Sequence, residues 1–300
     1  MELKAFAPGI YPRSEALVQA TRDLERGRTT PEAVAEQSER DFRELVSVQE
    51  AAGLDLLADG MLGWQDLFRP LAEAAEGLSA RPLTRFLDTN TFYRAVLVER
   101  EPRLTKPLPA PKLPAGRWLA TLPSPLAFAR AANGAASAQT LAANVLAPQI
   151  EAWSEAGCAL VVLADPFLAR EGGVGELARA LAELPRSAPL AVQLVFGDAS
   201  AVLDEVAELD VDAIGIDFYS TSLDAVPDRF PREIYAGVID ARSSALEDPH
   251  EVSRFAGELA RRAPAVSLVP NGDLQFVPEK IAREKLARLG RARVSLEEVA

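Results

Sequence analysis

Short apolar runs recur along this chain, each closed by a polar residue, Gly or Pro, and they limit its fold more than any other feature. They cover 54–57 before Asp59-Gly60, 118–122 before Pro123, 160–163 before Asp165-Pro166, 190–196, 213–216 before Asp217, 235–239 before Asp240 and 266–269 before Pro270. Predominantly apolar runs of this length read as strands buried on both faces, as in parallel sheets. Segments with helical spacing lie between them, at 14–27, 31–52, 138–156, 175–184, 199–209, 249–262 and 278–289. Thr30-Pro31-Glu32 and Asp248-Pro249 place a proline in the first turn after a capping residue. With 3–7 and 85–87 added, the chain holds about nine strand candidates, one more than a closed parallel barrel requires. No strand is followed by a GxGxxG or GxxxxGK turn, which disfavours the open dinucleotide- or nucleotide-binding sheet. The expected architecture is a (β/α)8 TIM barrel, one α/β domain over 1–300.

Composition then narrows function. A formal charge of -12 opposes sequence-independent binding to nucleic acid. No apolar run reaches the roughly 18 residues that span a bilayer, and the start of the chain has no basic segment followed by an apolar stretch, so the expected location is the cytoplasm. The single cysteine, Cys158, forms no internal disulfide, in keeping with a reducing compartment.

Barrel enzymes place their reactive groups at the C-terminal ends of strands. The polar residues there are Asp59, Asp66, Asn90, Tyr93, Arg94, Asp165, Gln193, Asp198, Asp217, Asp240, Arg242 and Asn271. Carboxylates and arginines around one mouth suit a zwitterionic or anionic small molecule. Taken singly, the Asp and Asn residues equally suit turns and helix caps. The expected catalytic residues are Asp165, Asp217 and Asp240. Trp64, Asp66, Asn90, Tyr93, Arg94, Gln193 and Arg242 are the expected substrate-binding residues.

The order and wording of several segments resemble the catalytic barrel of cobalamin-independent methionine synthase and its short archaeal-type relatives. The segments are Tyr11-Pro12-Arg13-Ser14, Gln49 with Gly53-Leu54-Asp55, Asp59-Gly60 and Asn90-Thr91-Phe92-Tyr93-Arg94. They continue with Leu122-Pro123-Ser124-Pro125, Gly237-Val238-Ile239-Asp240-Ala241-Arg242 followed by Glu247, Val269-Pro270-Asn271-Gly272-Asp273-Leu274, and Ala282 with Lys285-Leu286. The resemblance implies a zinc ion, held by an H-x-C pair, a Glu and a later Cys, that binds the homocysteine thiol and delivers it as a thiolate. Carried onto this chain, the pair falls on Gln193-Leu194-Val195, the Glu on Asp217 and the last Cys on Gly272 or Asn271. The amino-group glutamate falls on Met61, the strand-end aspartate on Ala164 and a first-loop serine on Ile10. Cys158 and His250 are expected to be structural. No zinc and no other cofactor is therefore expected.

Three readings follow. The first is a methyl or one-carbon transferase of methionine synthase-like kind with the zinc-thiolate site lost, for which the short relatives imply a corrinoid or other methyl-donor protein as partner. The second is a non-catalytic binding or partner subunit. The third is a metal-free acid–base barrel resembling uroporphyrinogen decarboxylase. Membrane and nucleic acid are not expected partners.

Overall fold

The computed structural model describes residues 3–87 and 92–297. Its core is a parallel sheet of seven strands: β1 (Lys4–Ala5), β4 (Trp118–Pro123), β5 (Cys158–Asp165), β6 (Leu190–Leu194), β7 (Ala213–Asp217), β8 (Glu233–Ile239) and β9 (Val266–Pro270). They lie in the order β1-β9-β8-β7-β6-β5-β4. β2 (Ala75–Arg85) and β3 (Phe92–Leu104) form a separate antiparallel pair. The fold is thus α/β with a parallel half-barrel sheet.

Two-sided burial explains why the apolar runs were legible. Every residue of β4, β6, β7 and β9 is buried. One face packs on the helices. The other encloses a second cluster of Phe6, Ala58, Leu119, Val162, Ala191, Ala213, Tyr235 and Val269, drawn from around the sheet. Within it the Phe6 and Tyr235 rings meet edge-on at 5.0 Å, a favoured aromatic geometry.

Three expectations about the elements are corrected. Residues 85–87 are not a sheet strand: Arg85 ends β2, opposite Phe92 in the hairpin. The run 54–57 contributes only a parallel bridge between Leu57 and Trp118. Asp55 N–H also donates to Ala5 O at 2.9 Å, so this segment touches both outer strands of the sheet. The helix expected over 199–209 shrinks to Leu203–Ala207. Asp198 instead closes a turn on the Ser200 N–H and Val202 N–H turns back to Ala199 O, which occupies the first residues. The other helices stand close to the periodicity, at Glu15–Glu25, Pro31–Ala51, Val174–Leu181, Pro249–Leu259 and Glu279–Glu297. The segment 138–155 is helical throughout, with a π-helical turn at Ala142–Leu146.

The hairpin is two-faced. Phe86 and Tyr93 turn inward, while Leu83 and Phe92 are 60% and 51% exposed. No helix among the described residues is long and apolar enough to cross a membrane.

Candidate functional site

Six aspartates at strand ends and loops share one local geometry. Asp59, Asp66, Asp165, Asp198, Asp217 and Asp240 each accept, through Oδ1, the backbone N–H two residues further on. A short carboxylate does this without strain, and it turns the chain sharply away from the strand. The remaining contacts separate their roles.

Asp217 is 2% exposed and ties the ends of β6, β7 and β9 together, with β8 joined through Asn271. Its Oδ1 accepts the Tyr219 N–H at 2.9 Å and the Asn271 Nδ2 at 3.0 Å. Its Oδ2 accepts the Ser220 hydroxyl at 2.8 Å and the Gly197 N–H at 3.2 Å. Asn271 Oδ1 in turn accepts the Ala241 N–H at 2.9 Å. Gln193 joins the network by donating its amide to Pro270 O at 2.9 Å. Gly215 makes room for it, since a Cβ there would lie 2.7 Å from Gln193 Cγ.

Asp165 is fully buried and accepts the Ser124 hydroxyl and the Leu168 N–H. Burial raises its carboxyl above the usual range, opposed by the Ser124 bond. Ser124 also caps the helix Pro125–Ala131 by accepting the Ala127 N–H. Asp240 is only half-buried. Its N–H donates to Glu247 Oε1 at 2.9 Å.

The hairpin side forms a second group. Asp66 Oδ2 accepts the Arg94 N–H at 3.0 Å, and Arg94 Nη1 donates to Arg81 O. Tyr93 packs its ring on Phe68 and Phe86 at 5.3 and 6.2 Å, and burial raises its hydroxyl. Trp64 is half-buried against the core. Asn90 lies outside the described residues.

A chain of rings joins the two groups. Phe196 meets Phe276 at 5.3 Å, Phe276 stacks on Phe86 at 6.0 Å, and Phe86 touches Tyr93. Arg242, exposed, places its guanidinium 5.4 Å from the centre of the Phe196 ring. Phe196 itself sits at φ +52°, a left-handed conformation costly for a bulky side chain. Its ring covers Gly272, where a Cβ would lie 2.7 and 2.8 Å from Cε1 and Cε2. Met61, where the resemblance would put a glutamate, is 3% exposed and also left-handed, at φ +49°.

Sequence reasoning missed Phe196 and Ser124. Phe196 carries no local signal of its conformation, whereas Ser124-Pro125 is a readable helix start. Cys158 is buried at the start of β5, where its Sγ donates to Leu160 O and burial pushes the thiol up to about 11. His250 is exposed in the first turn of Pro249–Leu259. Among the described residues, no three His, Cys, Asp or Glu side chains group so as to hold a metal ion.

A parallel half-barrel sheet with a separate antiparallel hairpin defines an α/β protein of barrel-like class. No family model matches the chain. It is 23% identical over 300 aligned positions to methionine synthase of Sulfurisphaera tokodaii, covering 94% of this chain and 88% of that protein. A B12-independent methionine synthase from Shewanella sp. W3-18-1, solved with selenomethionine, matches with a TM-score of 0.72 at 16% identity, over 99% of this chain and 98% of the other. A putative vitamin-B12 independent methionine synthase from Listeria monocytogenes matches with a TM-score of 0.68 at 14% identity, over 99% of both. The chain is thus similar in sequence to a methionine synthase and in fold to B12-independent methionine synthases, in keeping with the resemblance of its motifs.

Proposed function

We propose that this chain is a methionine synthase-like methyl or one-carbon transferase that works on a small molecule without zinc-thiolate chemistry. The observation that carries the reading is the Phe196 ring over Gly272, together with what stands at the other ligand positions. Structural and catalytic zinc sites need three or four N, S or O donors. Here Val195 has no donor atom in its side chain, the Gln193 amide is committed to Pro270 O, and both oxygens of Asp217 already accept two hydrogen bonds each. A cysteine at Gly272 would run into the Phe196 ring. These residues do not fit zinc.

In this reading Arg242 and Arg94 receive an anionic or zwitterionic substrate, with Trp64, Tyr93, Asp66, Asn90 and Gln193 shaping the mouth. Of Asp165, Asp217 and Asp240, only Asp240 is reached by solvent, so acid–base work is assigned to it. Asp165 and Asp217 serve as positioning residues that hold the strand ends. The segment 54–57, though not a regular strand, is read as filling the eighth position of a (β/α)8 barrel in one domain over 1–300 that acts in the cytoplasm. A corrinoid or other methyl-donor protein would supply the group transferred.

A second reading, a binding or partner subunit without catalysis, is favoured by the saturation of Asp217. Metal analysis and calorimetric titration with homocysteine and methionine test the proposal. The expected outcome is zinc well below one per chain and no zinc-dependent homocysteine binding. Near-stoichiometric zinc that survives dialysis and is lost in Asp217→Ala would overturn it.

A further inference from the structure

Five large apolar or aromatic side chains are exposed among the described residues, and four of them gather in two places. Leu83 and Phe92 stand on the hairpin, while Tyr219 and Leu246, 52% and 39% exposed, stand on the loops after β7 and β8. The two places have complementary chemistry.

On the hairpin, the register sets Leu83 opposite Arg94 and Arg85 opposite Phe92. Residues paired across two strands share a face, as do alternate residues along one strand, so Leu83, Arg85 and Phe92 point the same way. Tyr93 and Phe86 hold the opposite face to the core. Arg81 adds a further exposed cation beside Leu83, and residues 81–94 carry three Arg against one Asp. The chain as a whole has a charge of -12 and repels its own copies, so this basic, apolar face is the part of it suited to meet an acidic surface. Pro82 disfavours strand addition along the edge of β2, which leaves the outward face as the contact.

The complementary surface lies on the same chain. A cavity of about 320 Å³ opens between the turn after β7, the end of β8 and the helix Pro249–Leu259. Phe218, Val238, Val252 and Phe255 give it an apolar wall, with the two rings 5.0 Å apart. Such a wall receives the large apolar anchors that dominate protein interfaces. Asp248 and Glu251 are exposed on its rim, and Arg254 stands at the edge it shares with the next cavity along the helix. Both features are at one end of the molecule, since the hairpin reaches the strand ends through Phe86 and Phe276 and the cavity begins where β7 and β8 finish. Two copies facing each other across a two-fold axis form two equal contacts of this kind. We propose that the chain forms a symmetric dimer in which Leu83 and Phe92 of each hairpin dock on the Phe218 and Phe255 wall of a second copy, with Arg81 at the acidic rim. The contact does not depend on the reaction assigned to the mouth.

Sedimentation velocity of the full chain tests this, and a dimer is expected at chain concentrations of about 10–100 μM. Leu83→Ser with Phe92→Ser should weaken it at least about a hundredfold, because each lost anchor counts twice across a two-fold axis. Val294→Ser, which removes the remaining exposed apolar side chain, should leave it unchanged. Glu251→Arg and Arg81→Glu should each weaken the dimer about tenfold, and the two together in one chain should restore it to within about threefold. An effect of net charge alone would instead make Glu251→Arg dimerise more tightly. With benzoylphenylalanine at position 83, mixed light and isotope-heavy chains should cross-link between copies within the segment 218–255. A monomer throughout that range, a dimer indifferent to the Leu83 and Phe92 changes or equally lost in Val294→Ser, charge reversals whose effects add, or cross-links elsewhere would each overturn the proposal.

Discussion

Replacing Gly272 by Ala measures how firmly Phe196 fills the mouth. The added methyl would lie 2.7 and 2.8 Å from two carbons of the Phe196 ring, about 1 Å inside normal carbon–carbon contact. The ring has little room to withdraw. Phe196 is 2% exposed, Phe276 stands edge-on at 5.3 Å and the Arg242 guanidinium lies 5.4 Å from the ring centre. Its backbone is already held at φ +52°. The cost should therefore fall in the upper part of the overpacking range, about 2–3 kcal/mol. In a chain of this size that lowers the melting temperature by roughly 5 °C or more. Phe196→Ala costs about 3–5 kcal/mol through lost packing, yet in that background the Gly272→Ala change should be almost silent. The coupling in the double-mutant cycle is then about 2 kcal/mol. Thermal melts by circular dichroism on the four proteins give the answer. A Gly272→Ala variant that melts with the parent, or effects that simply add, would refute the claim that Phe196 occupies the ligand position.

Two further outcomes follow from the strand-end carboxylates. Burial pushes the Asp273 carboxyl up to about 6, against about 3.9 in an unfolded chain. Between these values the folded protein keeps a proton that the unfolded chain has lost, so stability should fall by up to ~3 kcal/mol as pH rises from about 4 to about 6. Urea titrations across that window should show the slope flattened in Asp273→Asn, and an unchanged slope would contradict the assignment. Asp217→Ala strands two buried donors, the Gly197 N–H and the Asn271 amide, beside two that water reaches; each buried donor costs about 1–3 kcal/mol when unsatisfied, so a loss of at least ~2 kcal/mol is expected. Asp198→Ala, at an exposed turn, should cost about 1 kcal/mol or less; equal losses for the two would show that the Asp217 network does not hold the strand ends.

Strand ends were readable because a strand covered on both faces must be apolar throughout, and the chain can turn only where a polar residue or Gly follows. For the same reason Asp165, Asp217 and Asp240 stood out by position. Their division of labour was not readable, since Asp217 receives donors from Gly197 after β6 and Asn271 after β9, which reach it only once the sheet has placed β6 next to β7 and β9 one strand beyond, across β8. The hairpin escaped detection for the opposite reason. β2 and β3 carry Arg81, Pro82, Arg85, Arg94 and Pro102 on a partly exposed surface, and the short apolar run 95–98 covers only part of β3. Glu247 and Lys285 were visible as motif letters, yet nothing local announced that they form a buried pair.

The sequence by itself determined the alternation of strands and helices, the family likeness and the residue types at the expected ligand positions, because burial and turn chemistry act over a few neighbouring residues. It took the assembled fold to bring Phe196 over Gly272, to commit Asp217 to four neighbours and to bury Glu247 against Lys285. Those facts depend on which strand ends meet, and that is settled by packing between segments far apart in the chain.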